Sequence, residues 1–171
     1  MKIGIEKVPV PQGSELANLL SDAYYCDGYR FKNMKKDRSC LEIWMEHASK
    51  APPWVNSLMT LRNKIVSVFG LKHDGGLGDF DPNKASRDYK VGDRVGIFTL
   101  ASNNENEVIL ADNDKHLNVK ISIYKESPDS DYVTISTVVW VHNLLGRAYM
   151  LFVTPMHKLI VPSTIVRGES G

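Results

Sequence analysis

Five histidines, two cysteines and Tyr149 are the side chains from which this sequence could most readily build a reaction. His142 and His157 stand fifteen residues apart, about 22 Å if one helix carries both. A zinc ligand sits about 2 Å from its ion, so that pair cannot share one. His47, His73 and His116 fall on other segments without HxxxH or HxH spacing, and no metal site is expected. The segment Asp74-Gly75-Gly76-Leu77-Gly78-Asp79 has glycines but no following Lys-Ser/Thr and no strand directly before it, so it fails both phosphate-loop and dinucleotide fingerprints. Asp74 and Asp79 would also repel phosphate. A surface loop or lid is expected there, and no cofactor is implied. Cys26 and Cys40 lack the companion pair of a zinc site, and no GxSxG nucleophile elbow is present.

Acid–base and hydrogen-bonding chemistry is left to His116, His142, Tyr149 and His157. His142 could act at the mouth of a pocket, but it reads more simply as a strand-end residue satisfying backbone at a strand–helix junction. Tyr149 could donate its hydroxyl to a ligand or lie in the core with that hydroxyl satisfied. Gly146, near it on the same segment, permits close backbone approach. His116, in Asp114-Lys115-His116, reads as a turn-and-strand contact.

The elements that must position these residues follow from periodicity. Residues 3–10 suggest a short strand, and Ser14 can cap a short helix running to Leu20. Residues 22–46 have no clear period and read as irregular extended chain, then a short helix near 39–48. Pro52 and Pro53 open the next helix, where a missing N–H costs nothing. Trp54, Leu58, Leu61, Ile65 and Val68 recur as one apolar face, and Gly70 ends the helix. After a glycine-rich loop over 72–92 the period changes from helical to alternating. Arg94–Leu100, Glu107–Leu110, His116–Tyr124 and Tyr132–Val141 read as strands separated by short turns, an antiparallel meander with one apolar and one wet face. Leu117, Val119, Ile121 and Ile123 share a face, as do Val133, Ile135, Thr137, Val139 and Val141. The same alternation turns Trp140 and His142 outward. Asn143 can cap a final helix about 30 Å long, with Leu145, Tyr149, Phe152, Met156 and Ile160 as its stripe and a kink at Pro155.

A sheet with an apolar face must bury it against something, and the final helix is the available partner. The expected fold is therefore α+β: a curved antiparallel sheet wrapped around a long C-terminal helix, with further helices in the N-terminal half. Residues 1–171 form one domain, long enough to bury roughly 70% of the unfolded surface. Formal net charge is +1, with 43% apolar and 24% charged residues, so no strong field would attract nucleic acid, which is not an expected partner. The most basic run, Lys32 to Arg38, reads as a solvated loop. Met1 to Glu6 has no apolar core of a secretory signal, so a cytoplasmic protein with reduced thiols is expected. Leu144–Val166 approaches a membrane span in length, but Arg147, His157, Lys158, Pro155 and Pro162 interrupt it. A buried core helix is expected there rather than a span.

Four blocks carry a family resemblance: Pro52-Pro53-Trp54-Val55 with Leu61-Arg62-Asn63 and Phe69-Gly70-Leu71-Lys72; Gly92 to Phe98; Asp114 to Leu117; and the His142-Asn143, Gly146, Tyr149, Pro155-x-His157 tail. Together they resemble the bacterial domain of unknown function 2867 family, and the resemblance covers most of the chain. It implies a START-like, helix-grip fold similar to pollen-allergen and polyketide-cyclase proteins. Members of the family also occur fused behind NAD(P)-binding domains. It carries no established catalytic residues.

A curved sheet and a long helix often leave a cleft that takes apolar molecules. The leading functional expectation is binding of a small hydrophobic or amphipathic molecule there, without catalysis. Its candidate walls are Phe98, Leu117, Val119, Ile121, Val139, Tyr149, Phe152 and Met156, and a filled core fits the same list. Two alternatives stay open. One is a cyclase- or hydratase-like enzyme using a pocket Tyr or His; the other is an interaction module for oxidoreductases, contacting its partner through a sheet edge or Trp140. Self-association is also left open.

Overall fold

The computed structural model describes residues 3–68, 70 and 75–171; His73, Asp74 and the Phe69, Leu71 and Lys72 positions lie outside them. Seven strands form one sheet: β1 (Ile5–Val8), β2 (Tyr25–Lys32), β3 (Arg94–Val95), β4 (Phe98–Asn103), β5 (Glu107–Asn113), β6 (Leu117–Tyr124) and β7 (Tyr132–Val141). Their order is β1-β2-β7-β6-β5-β4-β3, antiparallel throughout. The helices are α1 (Cys40–Ser49), α2 (Pro53–Val68) and α3 (Leu144–Glu169). This is the expected α+β arrangement: an open meander gripping a long C-terminal helix.

Local chemistry accounts for the helix starts. Ser39 and Glu42 make a reciprocal capping box on α1, Ser39 Oγ accepting from Glu42 N and Glu42 Oε2 from Ser39 N. Asn143 caps α3 by accepting from Gly146 N at 3.0 Å. Twenty-six residues make α3 roughly 39 Å long, longer than expected, with Pro155 and Pro162 both inside it.

Three sequence expectations need correction. Residues 25–32 are a regular strand, because β2 hydrogen-bonds β7 along its whole length, from Tyr25 opposite Val139 to Lys32 opposite Tyr132. Arg94–Leu100 is a hairpin rather than one strand. Gly96 turns the chain at φ 63°, and a Cβ there would meet Leu77 O at 2.6 Å. The wet face of the sheet is also partly dry. The N-terminal segment, with its short 3₁₀ turn Glu15–Leu19, lays Val10 and Leu16 against Ile109, Val138 and Trp140. Buried Glu107 holds that segment by accepting from Ser14 Oγ at 2.5 Å and Glu15 N at 2.8 Å.

The main core fills the other face of the sheet, where β2 and β4–β7 meet α1 and the end of α3. Helix α2 contributes Val55 and Val66 as its buried residues. The expected stripe is rotated outward at Trp54, Leu61 and Val68, which are 41%, 43% and 81% exposed. A second row, Val55, Met59, Arg62 and Val66, runs beside it at helical spacing. The Arg62 side chain in that row is 17% exposed.

A candidate site between the sheet and the C-terminal helix

Strand register decides which side chains face α3. Leu117 lies opposite Val141, Val119 opposite Val139, and Ile121 opposite Thr137, so the apolar rows of β6 and β7 share one face. Tyr25 pairs with Val139 and Asp27 with Thr137, which brings both onto that same face. Between these rows and α3 lies a cavity of about 180 Å³.

Seven of the eight candidate wall residues line it: Phe98, Leu117, Val119, Ile121, Val139, Tyr149 and Met156. Phe152 does not; it is 45% exposed. From Tyr149 the inward row steps by four to Val153, while the three-residue step to Phe152 turns back by about 60° toward solvent. The cavity is smaller than the several hundred Å³ typical of ligand pockets, but single-ring molecules occupy engineered cavities of about 150 Å³.

Three polar groups interrupt the apolar wall. At one end, Arg62 Nε donates to Tyr149 Oη at 3.0 Å, leaving the Tyr149 hydroxyl proton to donate elsewhere. Arg62, Ile97, Asp112, Leu117 and Tyr149 also line a second, more polar hollow of about 330 Å³, so the Arg62–Tyr149 bond stands in the partition between the two. On the β2 side, buried Asp27 accepts from Tyr25 Oη at Oδ2, 2.5 Å, and from His157 Nε2 at Oδ1, 3.3 Å. Tyr25 and His157 meet edge to face at 5.8 Å. Burial, then the bond to Asp27, push the Tyr25 hydroxyl well above its ordinary pKa, so it stays a donor. The carboxylate accepts from His157 Nε2, which leaves Nδ1 as the basic nitrogen of the neutral ring.

The third group is on α1. Trp44 and His47 both line the cavity, 7% and 2% exposed. His47 Nε2 lies 2.7 Å from Glu169 Oε1, which also accepts from Arg38 Nη2 at 2.6 Å. Met34 N donates to the other carboxylate oxygen at 2.9 Å. Burial alone would raise the Glu169 pKa, but the bonds from His47, Met34 and Arg38 outweigh it and hold it at about 2.

The other candidates lie outside the cavity. His116 donates its N–H to Asp114 Oδ1, and its carbonyl accepts from His142 N; this is the turn-and-strand contact expected of it. His142 is exposed, outside the cavity. Trp140 donates Nε1–H to Ser21 O at 3.1 Å and packs on the N-terminal segment. Cys26 is exposed and Cys40 buried, both as thiols, and burial first of all raises Cys40 to about 11. Among the described residues no group of three His, Cys, Asp or Glu side chains could hold a metal ion. Helix α3 is long and apolar enough to cross a membrane by length and composition, and 17% of its most apolar window is buried.

Sequence reading missed Tyr25, Asp27, Arg62, Trp44 and His47. The signal was present for two pairs: Tyr25 and Asp27 stand two apart in a segment that proves to be a strand, and Trp44 and His47 stand three apart in a helix that was expected.

Fold and cavity define an open helix-grip-like α+β domain with a mainly apolar cavity interrupted by a few polar side chains. The chain belongs to the family described as protein of unknown function (DUF2867), whose model matches residues 19–164. It matches no curated protein and no solved structure.

Proposed function

We propose that this domain binds a small, mainly apolar molecule bearing a polar group, in the cavity between the sheet and α3. The observation that carries the reading is the juxtaposition itself. Apolar rows of β6 and β7 face α3 across about 180 Å³ of space, with Tyr25, Trp44, His47, Tyr149 and His157 set into the walls. A START-like, ligand-holding relationship is consistent with this, as is a cytoplasmic location. The test is native mass spectrometry of protein purified from its source, repeated on Val139→Phe, which fills the cavity. A retained mass in the wild type that Val139→Phe lacks supports the reading. The same mass in both proteins, or none in either together with no binding of single-ring probes, overturns it.

A second reading, a cyclase- or hydratase-like enzyme, is favoured by Tyr25–Asp27–His157. A carboxylate that orients an imidazole supplies a base on one wall, beside a Tyr25 oxygen whose own proton is given to Asp27. Its signature would be a retained molecule that the wild type releases chemically altered and His157→Ala releases unaltered. Unaltered release from both proteins would leave binding alone.

A further inference from the structure

Trp44 Nε1 and His47 Nδ1 are buried polar atoms with no hydrogen-bond partner in the protein. They sit one helical turn apart on α1, where side chains at i and i+3 are neighbours, and both residues line the cavity. A buried donor or acceptor left unpaired destabilises the fold, so two together at one wall call for a common explanation.

Their chemistry is complementary. The indole N–H can only donate. Glu169, held ionised by Arg38 and the Met34 N–H, can only accept, so in the neutral imidazole of His47 the hydrogen sits on Nε2 and faces that carboxylate. Nδ1 then carries a lone pair and accepts. The ring's orientation agrees: its Cδ2 edge lies against Gly168, where a Cβ would come within 2.0 Å of it. The Nδ1 edge is on the other side. Gly168 is thus the residue that lets α3 approach closely enough to fix the imidazole.

One donor beside one acceptor matches a group that both accepts and donates through a single atom, which is a hydroxyl. Resting on the binding reading above, we infer that Trp44 and His47 form the head-group site of this cavity. They recognise the hydroxyl of a small ring alcohol or phenol as Trp44 Nε1–H to O, and O–H to His47 Nδ1. A ketone would satisfy the indole alone and a primary ammonium the imidazole alone.

Phenol and toluene differ by this hydroxyl at nearly constant size, and their binding is followed by calorimetry and by NMR shifts of the Ile121 and Val139 methyls. Trp44→Phe keeps a ring against Phe98, which the indole meets at 5.6 Å, and lacks the donor. His47→Gln keeps a donor for Glu169 and lacks Nδ1. The expected result is phenol binding at least about tenfold tighter than toluene, with the ratio of the two affinities falling toward one in both variants. Equal binding of the two probes at the cavity methyls, or a phenol preference that survives both substitutions, overturns the head-group site and leaves the cavity reading standing. No shift of those methyls with either probe overturns both. Cooperative unfolding near the wild-type temperature establishes that each variant is folded before its affinity is read.

Discussion

Met150 on α3 is 4% exposed and Leu151, the next residue, is 76% exposed. The contrast extends along the whole helix. Gly146, Met150, Thr164, Ile165, Gly168 and Glu169 are buried, while Leu144, Leu151, Phe152, Leu159 and Val166 are 43% to 80% exposed. Both sides are apolar, so apolarity does not tell them apart. The inner side has small residues where backbone comes close: a Cβ at Gly146 would stand 2.4 Å from His116 O. It also has polar residues with particular partners, His157 on Asp27 and Glu169 on His47 and Arg38. The outer side has bulk without partners. Close approach and committed polar contacts, rather than hydrophobicity, mark the face that the sheet grips.

The largest effect should come from the end of that inner face. Glu169→Ala leaves Arg38 and His47 together without their carboxylate, and breaking a buried ion pair by removing one partner costs about 3–5 kcal/mol. Urea unfolding at neutral pH checks this, and Glu169→Gln should recover part of the loss by keeping an acceptor oxygen. The same carboxyl gives the fold an acid limit. Its pKa is about 2 in the folded protein against an ordinary 4.5, so the unfolded chain binds more protons across that interval. Its contribution is complete above about pH 4.5 and is lost as pH falls toward 2. The urea midpoint of the wild type should therefore fall over that window more steeply than that of Glu169→Gln. Parallel profiles would break the assignment of the acid limit to this group.

Adjacent positions give the direct comparison. Met150→Ala removes a side chain packed on Leu117 and Val139 and should cost about 2–3 kcal/mol, the lower part of the large-to-small range, because it borders space already present. Leu151→Ala should stay within about 0.5 kcal/mol. Similar losses in the two variants would mean that the outer face is packed in solution. On the wall next to Met150, Tyr149→Phe removes the acceptor for Arg62 Nε at the partition. A loss of about 1 kcal/mol is expected for one such bond, with faster entry of single-ring probes in stopped-flow measurements; unchanged entry would separate the partition from access.

Much of this contrast was hidden in the sequence, and the reason is specific. The fold was legible because β6, β7 and the Asn143 cap each follow a local rule: alternation for the strands and a side-chain acceptor for the first turn of α3. Phe98, Leu117, Val119, Ile121 and Val139 followed because strand faces are fixed by a period of two, and Tyr149 and Met156 followed from helical spacing on α3. Phe152 was misplaced because α3 is apolar on opposite sides, so a walk in steps of three and four can cross from one stripe to the other. Trp54, Leu61 and Val68 misled in the same way on α2. Tyr25, Asp27 and His157 could not be assembled at all from the sequence. Their meeting depends on β2 pairing with β7 across more than a hundred residues, a long-range choice that no local period encodes. Trp44 and His47 were on a helix already expected, but their lack of partners is a property of the folded interior.

The smallest expected effect is the most informative about the outer face. Leu144, Leu151, Phe152 and Leu159 contribute little to folding if their exposure in this structure is their exposure in solution. Replacing Leu151, Phe152 and Leu159 together with Ser removes apolar surface that is already in contact with water and exchanges two good helix formers, the leucines, for a weaker one. Propensity alone amounts to about 0.5 kcal/mol per position on an exposed helix face, so the triple variant should lose no more than about 1.5 kcal/mol in total and retain the wild-type affinity for phenol. Sedimentation velocity at high concentration should then report one species for the variant. A loss comparable to that of Met150→Ala at each position, or a wild type that sediments as a larger species and the triple variant as a monomer, would show that the outer row is a second buried face. The distinction drawn between the two sides of α3 would then be between two interfaces, one made within the chain and one between copies of it.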